Sequence, residues 1–178
     1  MTRLSRTTHG IAYDTTNDEI IAPNPLAAAI VIFRGGAVGE EAPVRTIQGA
    51  RTGLSRPETV AVDEKNDEII VGDPGDRRVL VYQRSADGDA APVRTIQGPN
   101  TKLLQIVGVS VDLVRDLLVV STYSRLPGGL TGLLIFGRTD HGDVAPKRVI
   151  AGPKTGITRL RQIGLDPETG RIFVAAIN

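Results

Sequence analysis

The chain has 178 residues, with 21 Lys and Arg against 20 Asp and Glu, so its formal net charge is +1. A hydrophobic share of 40% describes an ordinary globular chain, and its interspersed charges give no electrostatic case for nucleic acid or an anionic membrane. Cysteine is absent, which excludes disulfides, thiolate nucleophiles and Cys-based metal sites, and no run approaches the about 18 apolar residues a spanning helix needs.

The chain opens on Thr2-Arg3-Leu4-Ser5-Arg6, which reappears as Thr52-Gly53-Leu54-Ser55-Arg56. Next comes an apolar run ending in Asp14, then Asn17-Asp18-Glu19-Ile20-Ile21, which recurs 49 residues on as Asn66-Asp67-Glu68-Ile69-Ile70. Leu26–Ile32 is rich in alanine, but Ile30–Phe33 occupies the slot that Val79–Tyr82 fills in the second copy, so a strand is expected there. Val44-Arg45-Thr46-Ile47-Gln48-Gly49 closes the first copy and returns 49 residues later as Val93–Gly98.

The second copy is the clearest unit. Four short β-branched runs, Thr59–Val62, Glu68–Gly72, Val79–Tyr82 and Val93–Gln97, are separated by Gly, Pro, Asn and Asp clusters and predict four strands joined by tight turns. In the third copy Asp63 to Asp112 keeps the 49-residue period, whereas Tyr82 to Phe136 is 54, so extra residues fall in between. The Pro- and Gly-rich stretch Thr122–Thr131 is their expected place. A fourth copy begins at Gln162–Asp166, continues through Arg171–Ala175 and has only two of its four strands written.

A period in the high forties with four strands per copy predicts an all-β fold, a β-propeller of four-stranded antiparallel blades, about three and a half of them in this chain. The blades are expected at about residues 9–49, 58–98 and 106–152, with a half blade at 161–178, in one propeller region. No dozen residues keep an apolar 3.6-residue period, so helix is not expected. With 3% aromatic residues, the core must be filled by Val, Ile, Leu and Ala. The two ends coincide with an inter-blade connection and a half-written blade. A fragment of a longer propeller, or a homo-oligomer closing the ring, is the expectation.

The runs IAYDTTNDEIIAPN and VAVDEKNDEIIVGDPGDRRVLVYQR resemble the NHL-like β-propeller repeat, and the tails GDAAPVRTIQGPNT and GDVAPKRVIAGPKTGI look like a bacterial, usually exported subgroup. The resemblance spans essentially the whole chain. It implies a binding scaffold for a protein, peptide or glycan, located in the periplasm or outside the cell. Some relatives are lyases or lactonases that hold a metal or substrate in the central channel.

In a propeller the first strand of each blade lines the channel, and the connection entering it lies on one face with the loop between strands two and three. Aligned on the terminal Asp, His9, Glu58, Val107 and Arg161 form one row there, and Gly10, Thr59, Gly108 and Gln162 the next. His9 and Glu58 read either as metal ligands or an acid/base pair, or as solvated rim residues; Val107 and Arg161 in the same row favour the rim. The expectation is therefore no catalytic residue, no metal site and no cofactor. The ligand-face candidates are His9, Glu58, Arg161 and Gln162, with Tyr123 and Arg125 in the insert as an aromatic and a cation suited to contacts. The recurring Asp14, Asp63, Asp112 and Asp166 are expected to close Asx-turns. Asp87-Gly88-Asp89 and Asp140-His141-Gly142-Asp143 are expected to be hairpin turns.

Overall fold

The computed structural model of the chain describes residues 10–124 and 126–176. Among the described residues, fourteen strands make three four-stranded antiparallel sheets and one two-stranded sheet, in each of which consecutive strands are neighbours. The first sheet holds β1 (Ala12–Asp14), β2 (Glu19–Asn24), β3 (Ala29–Arg34) and β4 (Arg45–Ile47). The second holds β5 (Thr59–Asp63), β6 (Glu68–Asp73), β7 (Arg78–Gln83) and β8 (Arg94–Ile96). β9 (Gln105–Asp112), β10 (Leu117–Tyr123), β11 (Gly132–Gly137) and β12 (Arg148–Ala151) form the third, and β13 (Leu160–Leu165) pairs with β14 (Ile172–Ala176). These separate fans are β-propeller blades. Among the described residues no helix is long and apolar enough to cross a membrane.

The sequence makes these strands because alternate residues must be apolar on both faces of a blade packed between two others. Along β6, Ile69 and Val71 face the first blade and pack with Ile21, Ile30, Ile32 and Ile47. Ile70, one step out of phase, packs with Ile106, Leu118, Leu134 and Phe136 of the third. Val119, Leu133 and Ile135 in turn meet Leu160 and Ile163. The core is aliphatic, as expected; Tyr82 and Phe136 are its large aromatic exceptions. Leu26–Ala28, whose alanines favour helix, form part of the turn before β3.

The repeated Asp residues do close turns. Asp14 accepts the amides of Thr16 and Asn17, Asp63 that of Asn66, Asp112 those of Val114 and Arg115, and Asp166 that of Glu168. The same turns put Asp18, Asp67, Asp116 and Gly170 in left-handed backbone, which Asp and Gly tolerate.

Successive blades are joined by single 3₁₀ turns at Ala50–Thr52, Pro99–Thr101 and Pro153–Thr155. Here the Asp-Gly-Asp expectation needs correction. Gly88 and Gly142 adopt positive φ, but their segments are not only turns within their own blade. Gly88 bridges to Ile47 of the previous blade, with Gln48 N–H donating to Gly88 O and Gly88 N–H to Thr46 O; Gly142 does the same to Ile96. Asp89 and Asp143 then accept the amides of Arg51 and Asn100 at 2.6 and 2.8 Å. A Cβ on Gly49 or Gly98 would lie within 2.4 Å of those carboxylates, so only glycine lets the chains approach.

Charge reinforces each joint. Arg45 donates both Nη groups to Glu19, at 2.6 and 2.9 Å, and Arg84 of the next blade reaches the same carboxylate at 3.2 Å. Arg94, Glu68 and Arg138 repeat the arrangement at 2.5, 2.7 and 3.2 Å. The third joint is built differently. Leu117 stands where Glu19 and Glu68 stand, and Arg115, where the earlier copies have Asn17 and Asn66, binds Asp112 at 3.0 Å and reaches Pro167 O across the joint. Burial alone would raise the Asp112 carboxyl, but the Arg115 amide and guanidinium outweigh it and hold it below the usual range.

Candidate channel-mouth binding face

Two side chains at the ends of second strands fix the segments that lead into the channel. The Asp73 carboxylate accepts the amides of Ser55, Arg56 and Gly75 at 2.6, 2.9 and 3.0 Å. Thr122, its counterpart one blade on, accepts the Leu104 amide at 3.0 Å. Entering connection and strand 2–3 loop are thereby tied together on one face.

Glu58 sits on this face but is not a solvated rim residue. It is 4% exposed, lies 3.0 Å from Arg56 Nε and accepts from Gln105 Nε2 at 3.3 Å. The Arg56–Glu58–Gln105 chain therefore bridges two blades. Val107 is buried, and Arg161 is half-buried at the start of the two-stranded sheet. His9 lies outside the described residues, as does Arg125. The second row does converge: a Cβ on Gly10 would lie 2.8 Å from Gln162 Nε2 and 3.3 Å from Thr59 Oγ1. At that level the first, second and fourth blades come together, and Gln162 is exposed there.

The insert lies between β10 and β11, as the altered period requires. Among its described residues, the Ser124 amide donates to Thr131 Oγ1 and the Gly129 amide to Leu126 O. Half-buried Tyr123 stands at its base, and Leu126 near its tip is 76% exposed. A hollow flanks it on each side. One of about 300 Å³ is lined by Pro74, Arg77, Gln105, Tyr123 and Leu126, and one of about 510 Å³ by Tyr123, Ser124, Thr158 and Arg159. Arg77 and Arg159, one beside each hollow, are exposed, and Arg77 holds a left-handed backbone with φ 55°. Sequence reading singled out the insert and Tyr123. The hollows themselves, which pair the insert with segments of two other blades, had no sequence signal.

No protein-family model matches the chain, and no curated protein is similar to it in sequence. Solved structures are similar in fold. A chain of a nidogen/laminin complex superposes with TM-score 0.71 at 14% identity, over 94% of this chain and 56% of that one. A chain of a mitotic checkpoint complex gives 0.62 at 14%, over 94% and 45%, and one of the hydrazine synthase of Kuenenia stuttgartiensis 0.67 at 14%, over 93% and 42%. The chain thus spans about half the length of the solved chains it matches. Blade topology and these likenesses together define the class: this protein has a β-propeller fold.

Proposed function

We propose that the chain is a non-catalytic, NHL-like β-propeller region, exported, that binds a protein, peptide or glycan through the loops of its channel-mouth face. The observation that carries this is the insert: Tyr123 and the exposed Leu126 stand between two hollows, with an exposed Arg beside each. A half-buried aromatic beside exposed aliphatic and Arg side chains, carried by a loop on a rigid scaffold, is a combination that recognition surfaces use. Two of the similar solved structures are complexes, of nidogen with laminin and of the mitotic checkpoint, which fits a binding role.

A metal-assisted lyase or hydrolase is the second reading, and the likeness to a hydrazine synthase keeps an enzyme in view. It needs Glu58 as ligand or base, yet Arg56 and Gln105 already engage that carboxylate. The remaining ligand-face candidates are Arg161, Gln162, His9 and Arg125.

Panning the protein against a displayed peptide library and a glycan array tests the proposal. Replacing residues 124–131 by the four-residue turn Pro74–Arg77 should abolish capture of the selected binders, and Tyr123→Ala should weaken it at least tenfold. Binders indifferent to both changes would place recognition elsewhere.

A further inference from the structure

The fold sorts charges that look interspersed along the chain. An antiparallel blade puts its strand 2–3 loop and the connection entering it at the same end. At that end, residues 50–58, 73–78, 99–104 and 153–161 hold eight basic and three acidic residues, net +5, which leaves the rest of the chain net −4. The three acids are all engaged: Asp73 accepts three amides, Asp76 pairs with Arg78 at 2.6 Å, and Glu58 with Arg56 at 3.0 Å. Among the described residues, no carboxylate pairs with the exposed Arg77, Lys102 or Arg159.

Two of these cations stand where the backbone disfavours a side chain. Lys102 has φ 61°, in the slot that Gly53 and Gly156 fill at the other two joints, and Arg77 has φ 55°. Left-handed backbone is unfavourable for any residue with a Cβ, so a long cation kept in a glycine slot points to a use for its charge. The hollow of about 300 Å³ beside the insert sets apolar surface next to that charge. Pro74, Leu104 and Leu126 wall it, and Arg77 borders it. Its walls come from the four-stranded second and third blades. Tyr123 and Ser124 line both this hollow and the one that holds Arg159, so a chain crossing Tyr123 meets one guanidinium on each side.

The face thus has free donors, while its own carboxylates are occupied. Glycan hydroxyls need acceptors as well as donors, whereas a carboxylate only accepts. The bases of a single-stranded nucleic acid need an open ring to stack on, and Tyr123 is half-buried at the base of the insert. A second copy would offer its exposed Val38 and Glu40, but Arg34 holds the neighbouring Glu41 at 2.5 and 2.7 Å, so one carboxylate would face two guanidiniums. Resting on the binding role given above, we propose that the ligand of this face is an acidic peptide segment of a partner protein. An aliphatic side chain fills the Pro74–Leu104–Leu126 hollow, carboxylates pair with Arg77 and Arg159, and Lys102 steers the approach.

A displayed library of linear peptides, panned against the full chain, should return acidic sequences that carry a Leu, Ile or Val. The tightest of them, synthesised, should bind about tenfold more weakly once its acids are made amides, and more weakly as salt is raised. Arg77→Gly and Arg159→Ala in the protein should each weaken it about tenfold, and Lys102→Gly about threefold. Both glycine variants relieve left-handed backbone, so their Tm should equal or exceed the parent's, which separates lost binding from lost fold. Neutral or basic peptides that still need the insert, or capture of glycans alone, would overturn the acidic assignment and leave the binding role standing. Single-stranded RNA bound as tightly as the peptide would reduce the face to a general anion surface and overturn it too. Acidic peptides indifferent to Arg77→Gly and Arg159→Ala would overturn the seat. Self-association seen by sedimentation and lost in Glu40→Gln would give the face to a second copy instead of a partner. Capture of no probe at all would remove the binding role and this assignment together.

Discussion

Removing the Glu68 carboxylate should show what the charged joints contribute. In Glu68→Ala, Arg94 loses contacts at 2.5 and 2.7 Å and keeps only a 3.4 Å contact to Arg138 O, while Arg138 retains Asp116 at 2.6 Å and Asp63 at 3.7 Å. The damage therefore falls mainly on Arg94. Breaking a buried ion pair costs about 3–5 kcal/mol. The Arg94 side chain is 18% exposed, so some water can reach it, and about 3 kcal/mol is expected. For a chain of this size that is a fall in Tm of roughly 6–12 °C. Thermal unfolding followed by circular dichroism, with urea melts alongside, reads it. Glu68→Met with Arg94→Met removes both charges and should lie within about 1 kcal/mol of the parent, because no lone buried charge remains. If Glu68→Ala stays within about 0.5 kcal/mol of the parent, or the double variant is the less stable, the joint contributes nothing as a charge cluster.

Gly72→Ala should lower stability by about 1–3 kcal/mol, since its Cβ would lie 2.6 Å from Thr59 Cγ2 and 2.7 Å from Ile106 Cγ2; Gly164→Ala, with nothing within 4 Å, should leave the urea midpoint nearly unchanged. Stability should fall as pH drops below about 4, because Asp112 and Glu64 have lowered pKa values. A depressed carboxyl contributes stability above its unfolded pKa and loses it as pH falls through the folded value. The Thr15 amide and hydroxyl lower Glu64, so Glu64→Gln should flatten part of that slope in urea melts from pH 5 to 2. Burial pushes the Tyr82 phenol up, and it donates to Thr52 O at 2.6 Å. Absorbance titration at alkaline pH should therefore be the same for Tyr82→Phe as for the parent until the fold opens, and an earlier difference would mean the ring is accessible.

The strands, the Asx-turns and the position of the insert could be read from the sequence because each is written locally and repeated, so that register between copies overrules the alanines of Leu26–Ala28. Glu58 was misjudged for the opposite reason: Gln105, one of its partners, comes from the next blade, and burial depends on that packing. The charged joints were also missed, although a signal existed. Glu19 and Arg45 lie 26 residues apart, as do Glu68 and Arg94. In the third copy Leu117 replaces the acid while Arg115 replaces an Asn, which is co-variation inside the repeat. The hollows beside Tyr123 depend on how three blades are set against one another, which no single copy encodes.

The glycine bridges Ile47–Gly88 and Ile96–Gly142 make the outer rim a belt. Tension along the circumference meets backbone hydrogen bonds from one fan to the next, whereas a blade levered outward is opposed mostly by side chains. Cutting the loop beside Gly88 would not release a free end, since its amide and carbonyl stay clasped to Thr46 and Gln48.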